Sequence, residues 1–298
     1  MPAYAPRLNL VAGNLDATAY PYFHFFNAET RIYSREVVLQ PLIGNTGIQI
    51  LSGQLVPPLP KGGYNESRRS PRVRIAEPFG MPDEVFLNPG CFGPIRFYYP
   101  IPQPEAARFL LHLRDPRDVL TSMFYAFCYS HSGPIKGGTG PRAEVAAEGI
   151  DAFVMNMATA TERPYRFRGD YRGDYGTGIR VWNRTGNLHD RYRHYIDNLL
   201  GRPNVTLVRY EDMICNRARW LRQVADVFGV PGSANLKNLE EDFQKVDGVP
   251  KRSGKKENLM VRKRQVTPGD HRRKLAPQTI ERLNDVFGDV LERLGYSV

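Results

Sequence analysis

The densest chemistry in the chain is Arg114-Asp115-Pro116-Arg117-Asp118, with Ser122 four residues further on. An oily run, Phe109-Leu110-Leu111, precedes it, and Val119-Leu120 resumes apolar sequence behind it. Asp115 suits a helix N-cap and Pro116 the first helical position, where its missing N–H costs nothing. Asp118 then falls at the third helical position, from which a carboxylate can reach back to the cap as in a capping box. Both carboxylates face the positive end of the helix dipole. Arg114 is not explained this way, because a cation at a helix N-terminus opposes the dipole unless an anion lies between them. Ser122 shares the helix face of Asp118. Arg114 and Ser122 thus form a candidate phosphate clamp. The residues alone leave the alternative open: Arg114 in an ion pair with Asp115 or Asp118, and Ser122 buried.

A second cationic feature lies near the C-terminus. Residues 244–274 are strongly basic, with Arg262, Lys263 and Arg264 adjacent and Arg272, Arg273 and Lys274 following. Such a run is either a solvated face or a set of charge-assisted donors for a doubly charged phosphate. The net charge of +10 and pI of about 9.6 carry the same two readings, a basic surface or an anionic partner. Three cysteines (Cys91, Cys128, Cys215) form no CxxC pair and no zinc-spaced cluster, which points to free thiols in a reducing compartment. The first twenty residues lack a basic start followed by a long apolar segment, and no run approaches the ~18 apolar residues of a membrane span. A soluble cytoplasmic protein is expected, with no metal motif.

The elements that must hold these groups alternate in type. Residues 35–40 suggest a short strand, followed by Pro41-Leu42-Ile43-Gly44-Asn45-Thr46-Gly47 and a helix over 48–55. Residues 57–71 suggest a loop, and residues 72–77 and 84–88 short strands. The apolar run 108–113 suggests a strand buried on both faces, with a helix after it. Residues 132–178 form a long insert around a helix near 147–158, of the length expected for a functional lid or a disordered segment. A helix near 186–200 stopped by Gly201, a strand over 205–209 and a helix over 217–228 capped by Asn216 follow. A last helix over 278–294 starts at Pro277 and ends at Gly295, with Ile280, Leu283, Phe287, Val290, Leu291 and Leu294 at helical spacing. Strands alternating with helices predict an α/β fold, a parallel β-sheet flanked by helices on both faces, in one domain over 1–298. In such a sheet the Arg114 junction lies at the carboxyl ends of the strands, where ligands bind.

Arg114 to Ser122 matches R-[ND]-P-[KR]-D-x-x-x-S, and in this the chain resembles the sulfotransferases that use 3′-phosphoadenosine-5′-phosphosulfate. "LVRYEDM" (207–213) is similar to the family's strand ending in Tyr-Glu-Asp. The tail from Val261 resembles its Arg-Lys-Gly loop, Gly-Asp-Trp and closing helix. The resemblance covers roughly 105–128 and 180–298. It implies a P-loop-like sulfotransferase fold and transfer of a sulfuryl group to a hydroxyl or amine of a small-molecule or carbohydrate acceptor, with adenosine 3′,5′-bisphosphate as product. It implies that Arg114 and Ser122 bind the donor's 3′-phosphate with Arg262 and Lys263, and that Tyr210 lies near the adenine; the neighbouring Arg264 is a further candidate contact. No nucleic-acid partner is expected, and a homodimer is compatible with it.

The chain departs from the family pattern in four places. Arg264 stands where Gly is usual and His271 where Trp is usual. The first phosphate loop, P-[KR]-[ST]-G-[TS]-T-W, has its best match at 41–47, making Gly44, Asn45, Thr46 and Gly47 candidate phosphate contacts, but Leu42 replaces the cation. No Lys-Thr-His follows a candidate strand. "SPRVRIAEPF" (70–79) instead puts Glu77 at the position of the catalytic base, with His24, His112 and His131 as other candidates. Tyr165, Tyr171 and Tyr175 of the insert would line the acceptor site. Two rival functions stay open: a nucleotide-binding relative that has lost transfer, and a polyanion-binding protein that uses the basic tail.

Overall fold

In the computed structural model, residues 11–16, 22–27, 37–41, 47–52, 65–66, 73–74, 91–95, 98, 100–130, 141–165, 185–227 and 268–298 are described. They fall in two compact units, each made of two chain segments. One comprises residues 1–113 and 199–249, the other 114–198 and 250–298.

In the first unit the strands are β1 (Val11–Asp16), β2 (Tyr22–Asn27), β3 (Val37–Pro41), β4 (Gly47–Ser52), β5 (Asn65–Glu66), β6 (Val73–Arg74), β7 (Cys91–Ile95), β8 (Ala107–Leu113) and β9 (Val205–Arg209). The largest sheet has the order β7-β2-β8-β9. β8 and β9 pair in parallel, Phe109 opposite Val205 and Leu113 opposite Arg209, which bears out the expected parallel pairing of the two strands. β2 runs antiparallel to both β7 and β8, so the sheet is mixed. Five of the seven β8 positions from Phe109 to Leu113 are nearly inaccessible on both faces, the burial the continuous apolar run requires. Asn204 fixes the start of β9, its side-chain amide donating to the carbonyls of Pro104 and Ala107 at 2.7 Å each. Two helices follow β9, α5 (Tyr210–Cys215) and α6 (Arg217–Val227). Asn216 caps α6 as expected, its Oδ1 accepting from the Arg219 N–H at 3.2 Å. Leu221, Val224 and Ala225 are buried, and Trp220 meets His112 of β8 edge-on at 6.2 Å.

Around residues 41–47 the structure overturns an expectation. A helix was expected over 48–55, but residues 47–52 form β4, paired antiparallel with both β1 and β3. Gly-Ile-Gln-Ile-Leu-Ser is too short for periodicity to separate helix from strand, and its two isoleucines are β-branched, which suits the pleat. Tertiary pairing on both edges decides the matter. Short strands β5 and β6 occur where a loop and a six-residue strand were expected. The strand expected over 84–88 lies outside the described residues.

The second unit is helical: α1 (Pro116–Tyr125), running into a π-helical turn over Ala126–Ser130, α2 (Pro141–Glu148), α3 (Ile150–Thr159), α4 (Leu188–Leu199), α7 (His271–Lys274) and α8 (Pro277–Leu294). Two helices, rather than one near 147–158, occupy the described part of the insert. α8 carries the amphipathic face read from its spacing: Leu283, Phe287, Val290, Leu291 and Leu294 are buried. Gly295 ends the helix in the left-handed region at φ 69°, which glycine tolerates best. α1 packs on α3 and α8. Phe124 meets Phe153 at 5.4 Å, Phe153 stacks on Tyr165 at 5.1 Å, and Tyr192 of α4 meets Phe287 at 6.2 Å. An exposed ladder also joins α4 to α8, Arg193 to Asp289 and Arg293 to Asp197, and solvent screens it heavily.

Candidate nucleotide-binding site

Leu113 is the last residue of β8, Arg114 and Asp115 form the turn, and Pro116 is the first residue of α1. Asp115 caps the helix as its sequence position requires, accepting from the Arg117 N–H at 2.9 Å. Its carboxylate also takes the Arg117 guanidinium in a two-point pair, Nε to Oδ1 at 3.0 Å and Nη2 to Oδ2 at 2.7 Å. Arg117 is 2% exposed, and its other donors reach Asn284 Oδ1 of α8 at 2.6 Å and the Ser297 carbonyl at 2.9 Å. Arg117 therefore ties the start of α1 to the C-terminal helix.

Asp118, expected to turn back on the cap, directs both oxygens to a segment 151 to 153 residues away. Oδ1 accepts from the His271 N–H at 2.9 Å and meets His271 Nδ1 at 2.7 Å; Oδ2 accepts from the Gly269 N–H at 2.7 Å. The Arg114 Nη2 lies 3.8 Å from Oδ2. Burial alone would raise this carboxyl, but the hydrogen bonds from His271 and the charge of Arg114 outweigh burial and hold it well below its ordinary value. Asp118 is ionised throughout the neutral range.

Arg114 is 6% exposed, and its own carbonyl accepts from the Tyr192 hydroxyl. Ser122 is half-buried, one helical turn beyond Asp118. Each acid of the first turn has a cation beside it, Asp115 with Arg117 and Asp118 with Arg114, so the turn does not present uncompensated negative charge to an incoming phosphate. A preorganised guanidinium and a hydroxyl at a helix start are donors of the kind a phosphate monoester needs. The residues present fit such a group.

The other sequence-predicted residues are placed unevenly. Tyr210 is 2% exposed and is the first residue of α5, in the first unit, directly after β9. Gly47 is the first residue of β4, so the helix start that would have aimed backbone N–H groups at a phosphate from Gly44, Asn45, Thr46 and Gly47 is replaced by a strand. Gly44, Asn45, Thr46, Glu77, Arg262, Lys263 and Arg264 lie outside the described residues, as do His131, Tyr171 and Tyr175. His112 is buried in β8, and His24 lies in β2. Tyr165 is largely buried, its hydroxyl accepting from Asn156 at 2.8 Å and donating to Glu148 at 3.0 Å. The role of His271 was not foreseen. Only the Gly-Asp-His departure marked it, and nothing local signals that its partner is Asp118.

A family model described as the sulfotransferase domain matches residues 102–295, which contain the whole of this turn, β9 and α8. The chain belongs to the sulfotransferase family. Comparison with curated proteins found no match. Among solved structures, the chain is similar to mouse sulfotransferase SULT7A1 complexed with PAP, at 14% identity and a TM-score of 0.39. The match covers 61% of this chain and 57% of that protein. Among the described residues of this sulfotransferase-family chain, no helix is long and apolar enough to cross a membrane, and no three His, Cys, Asp or Glu side chains cluster as a metal site.

Proposed function

We propose that the chain transfers a sulfuryl group from 3′-phosphoadenosine-5′-phosphosulfate to a hydroxyl or amine of a small-molecule or carbohydrate acceptor. One observation carries this reading: the complete motif from Arg114 to Ser122 forms a capped helix start, with Arg114 buried and held by Asp118. When bound, the donor supplies the sulfuryl group on a good leaving group. Arg114 and the Ser122 hydroxyl hold the 3′-phosphate, and Arg262, Lys263 and Arg264 bring further charge to it. Tyr210 borders the adenine. Catalysis rests on positioning and charge stabilisation rather than covalent chemistry in the protein, and Glu77 takes the acceptor proton.

The test is thermal denaturation with adenosine 3′,5′-bisphosphate. A ligand at about a hundred times its Kd stabilises the native state by about 2.7 kcal/mol. Wild type is expected to show such a shift and Arg114→Ala to lose most of it. A wild-type protein indifferent to millimolar ligand refutes the reading.

A second reading has one specific observation in its favour. β4 stands where a phosphate loop needs a helix start, and Leu42 stands where it needs a cation. A relative that binds the nucleotide without transfer would show the thermal shift but no turnover with any acceptor.

A further inference from the structure

The turn that carries Arg114 belongs to neither of the elements beside it. β8 ends at Leu113, and the first carbonyl that α1 uses is that of Asp115, which accepts from the Val119 N–H at 3.0 Å. The Arg114 carbonyl lies between them in a buried residue, where an acceptor needs a partner from outside both elements. It accepts from the hydroxyl of Tyr192 in α4. We propose that Tyr192 is a positioning residue for Arg114: its hydroxyl fixes the Arg114 peptide and so holds the guanidinium ready for the nucleotide's 3′-phosphate. This role presupposes the nucleotide-binding reading above.

Packing alone does not explain a tyrosine here. The residue is fully buried and its ring meets Phe287 edge-on at 6.2 Å, a contact that phenylalanine would make equally well. A buried hydroxyl costs free energy unless it finds a partner, and the partner is the backbone of the cation that stands first in the motif. The helix that carries the hydroxyl starts rigidly. Asn187 and Asp190 cap α4 reciprocally: Asp190 Oδ2 accepts from the Asn187 N–H at 3.1 Å, and Asn187 Oδ1 from the Asp190 N–H at 3.0 Å. Gly186 precedes them at φ 70°, and a Cβ there would collide with the Asp190 carboxylate, so the cap requires glycine. The Asn187 amide also donates to the Ala160 carbonyl, just past α3, at 3.3 Å. Tyr192 therefore projects from a fixed helix start, as a group that sets another group's position must.

Arg114 is thereby held at both ends. The hydroxyl takes its peptide, and Asp118 Oδ2 stands 3.8 Å from its Nη2. At that distance the carboxylate attracts the guanidinium without the short contact of a hydrogen bond, so it does not by itself fix the direction of the side chain. A long cation that must be ordered as the ligand arrives weakens binding, and one ordered beforehand does not. The apparent Kd rises by the inverse of the fraction of molecules whose turn is competent. One net hydrogen bond shifts such an equilibrium by about five- to tenfold. The loss is confined to the 3′-phosphate, because Arg114 is assigned to no other part of the nucleotide.

Calorimetry measures the Kd of adenosine 3′,5′-bisphosphate directly and that of adenosine 5′-phosphate by displacement, well below each variant's unfolding midpoint. Tyr192→Phe is expected to weaken the bisphosphate about five- to tenfold and the monophosphate by less than about twofold. Phe287→Leu disturbs the packing of the ring but keeps the hydroxyl. Its unfolding midpoint should fall while its Kd for the bisphosphate stays within about twofold of wild type. Equal weakening of both nucleotides in Tyr192→Phe overturns the proposal, as does a bisphosphate Kd unchanged from wild type. So does a Phe287→Leu protein that loses as much affinity as Tyr192→Phe, because packing and not the hydroxyl would then matter. A Tyr192→Phe protein that does not fold overturns it too, since the hydroxyl would then serve the fold. Failure of wild type to bind either nucleotide removes the nucleotide-binding reading itself, a result seen without any variant.

Discussion

Replacing Arg117 by Met tests how the start of α1 is held, independently of any ligand. The substitution keeps an unbranched apolar stem, shorter than that of Arg, and removes the guanidinium. Asp115 then loses its two-point partner, and Asn284 Oδ1 and the Ser297 carbonyl lose a donor each. Arg117 is 2% exposed and Asp115 6%, so water cannot readily replace these bonds. Removing one partner of a buried ion pair costs about 3–5 kcal/mol, because the remaining charge is stranded. That is a large fraction of the 5–15 kcal/mol typical of a folded domain. Urea denaturation should show a lower midpoint at unchanged slope. A double-mutant cycle with Asp115→Ala isolates the pair. Asp115→Ala alone loses the cap as well, worth about 0.5–2 kcal/mol, yet the double variant should be more stable than the sum of the singles by at least about 1 kcal/mol. A single-variant cost below about 1 kcal/mol, or strict additivity, would refute the idea that Arg117 fastens α1 to the C-terminal helix.

Three further outcomes are expected. The Asp118 carboxyl is depressed in the native state below its ordinary 3.8, so its contribution is complete above that value and is lost as pH falls through it towards the native one; urea midpoints of wild type should drop below about pH 4, and those of Asp118→Asn should drop less. Phe287→Ala empties a fully buried position between Tyr192 and His189 and should cost about 3–5 kcal/mol in the same assay. Tyr165 is pushed up to about 12, first by burial and further by Glu148, with the Asn156 bond opposing; ultraviolet titration should lose one late-ionising phenol in Tyr165→Phe, which should cost about 1 kcal/mol.

Much of the frame is legible in the sequence because it depends on neighbours. The β8 and β9 runs, the Asp115 cap, the Asn216 cap and the apolar face of α8 each follow from residues within about one turn or one strand. The motif from Arg114 to Ser122 is legible for the same reason, since its nine residues are contiguous. β4 was misread as a helix because six residues cannot distinguish the two periods, and its partners β1 and β3 supply what the segment itself lacks. The insert was read as a long loop around one helix, yet Tyr165 is pinned to Asn156 and Glu148, residues whose types alone do not announce a pairing.

Sequence alone determined that a guanidinium and a hydroxyl would stand at the start of a capped helix after a buried strand, because caps and periods are short-range effects. Only the tertiary structure decided what Asp118 does with its charge. A carboxylate at the third helical position can serve its own cap or a distant donor, and the choice falls to whichever donors folding delivers to it once water is excluded. Here these are Gly269 and His271, carried in by the docking of the C-terminal helix, and no window of neighbouring residues contains them.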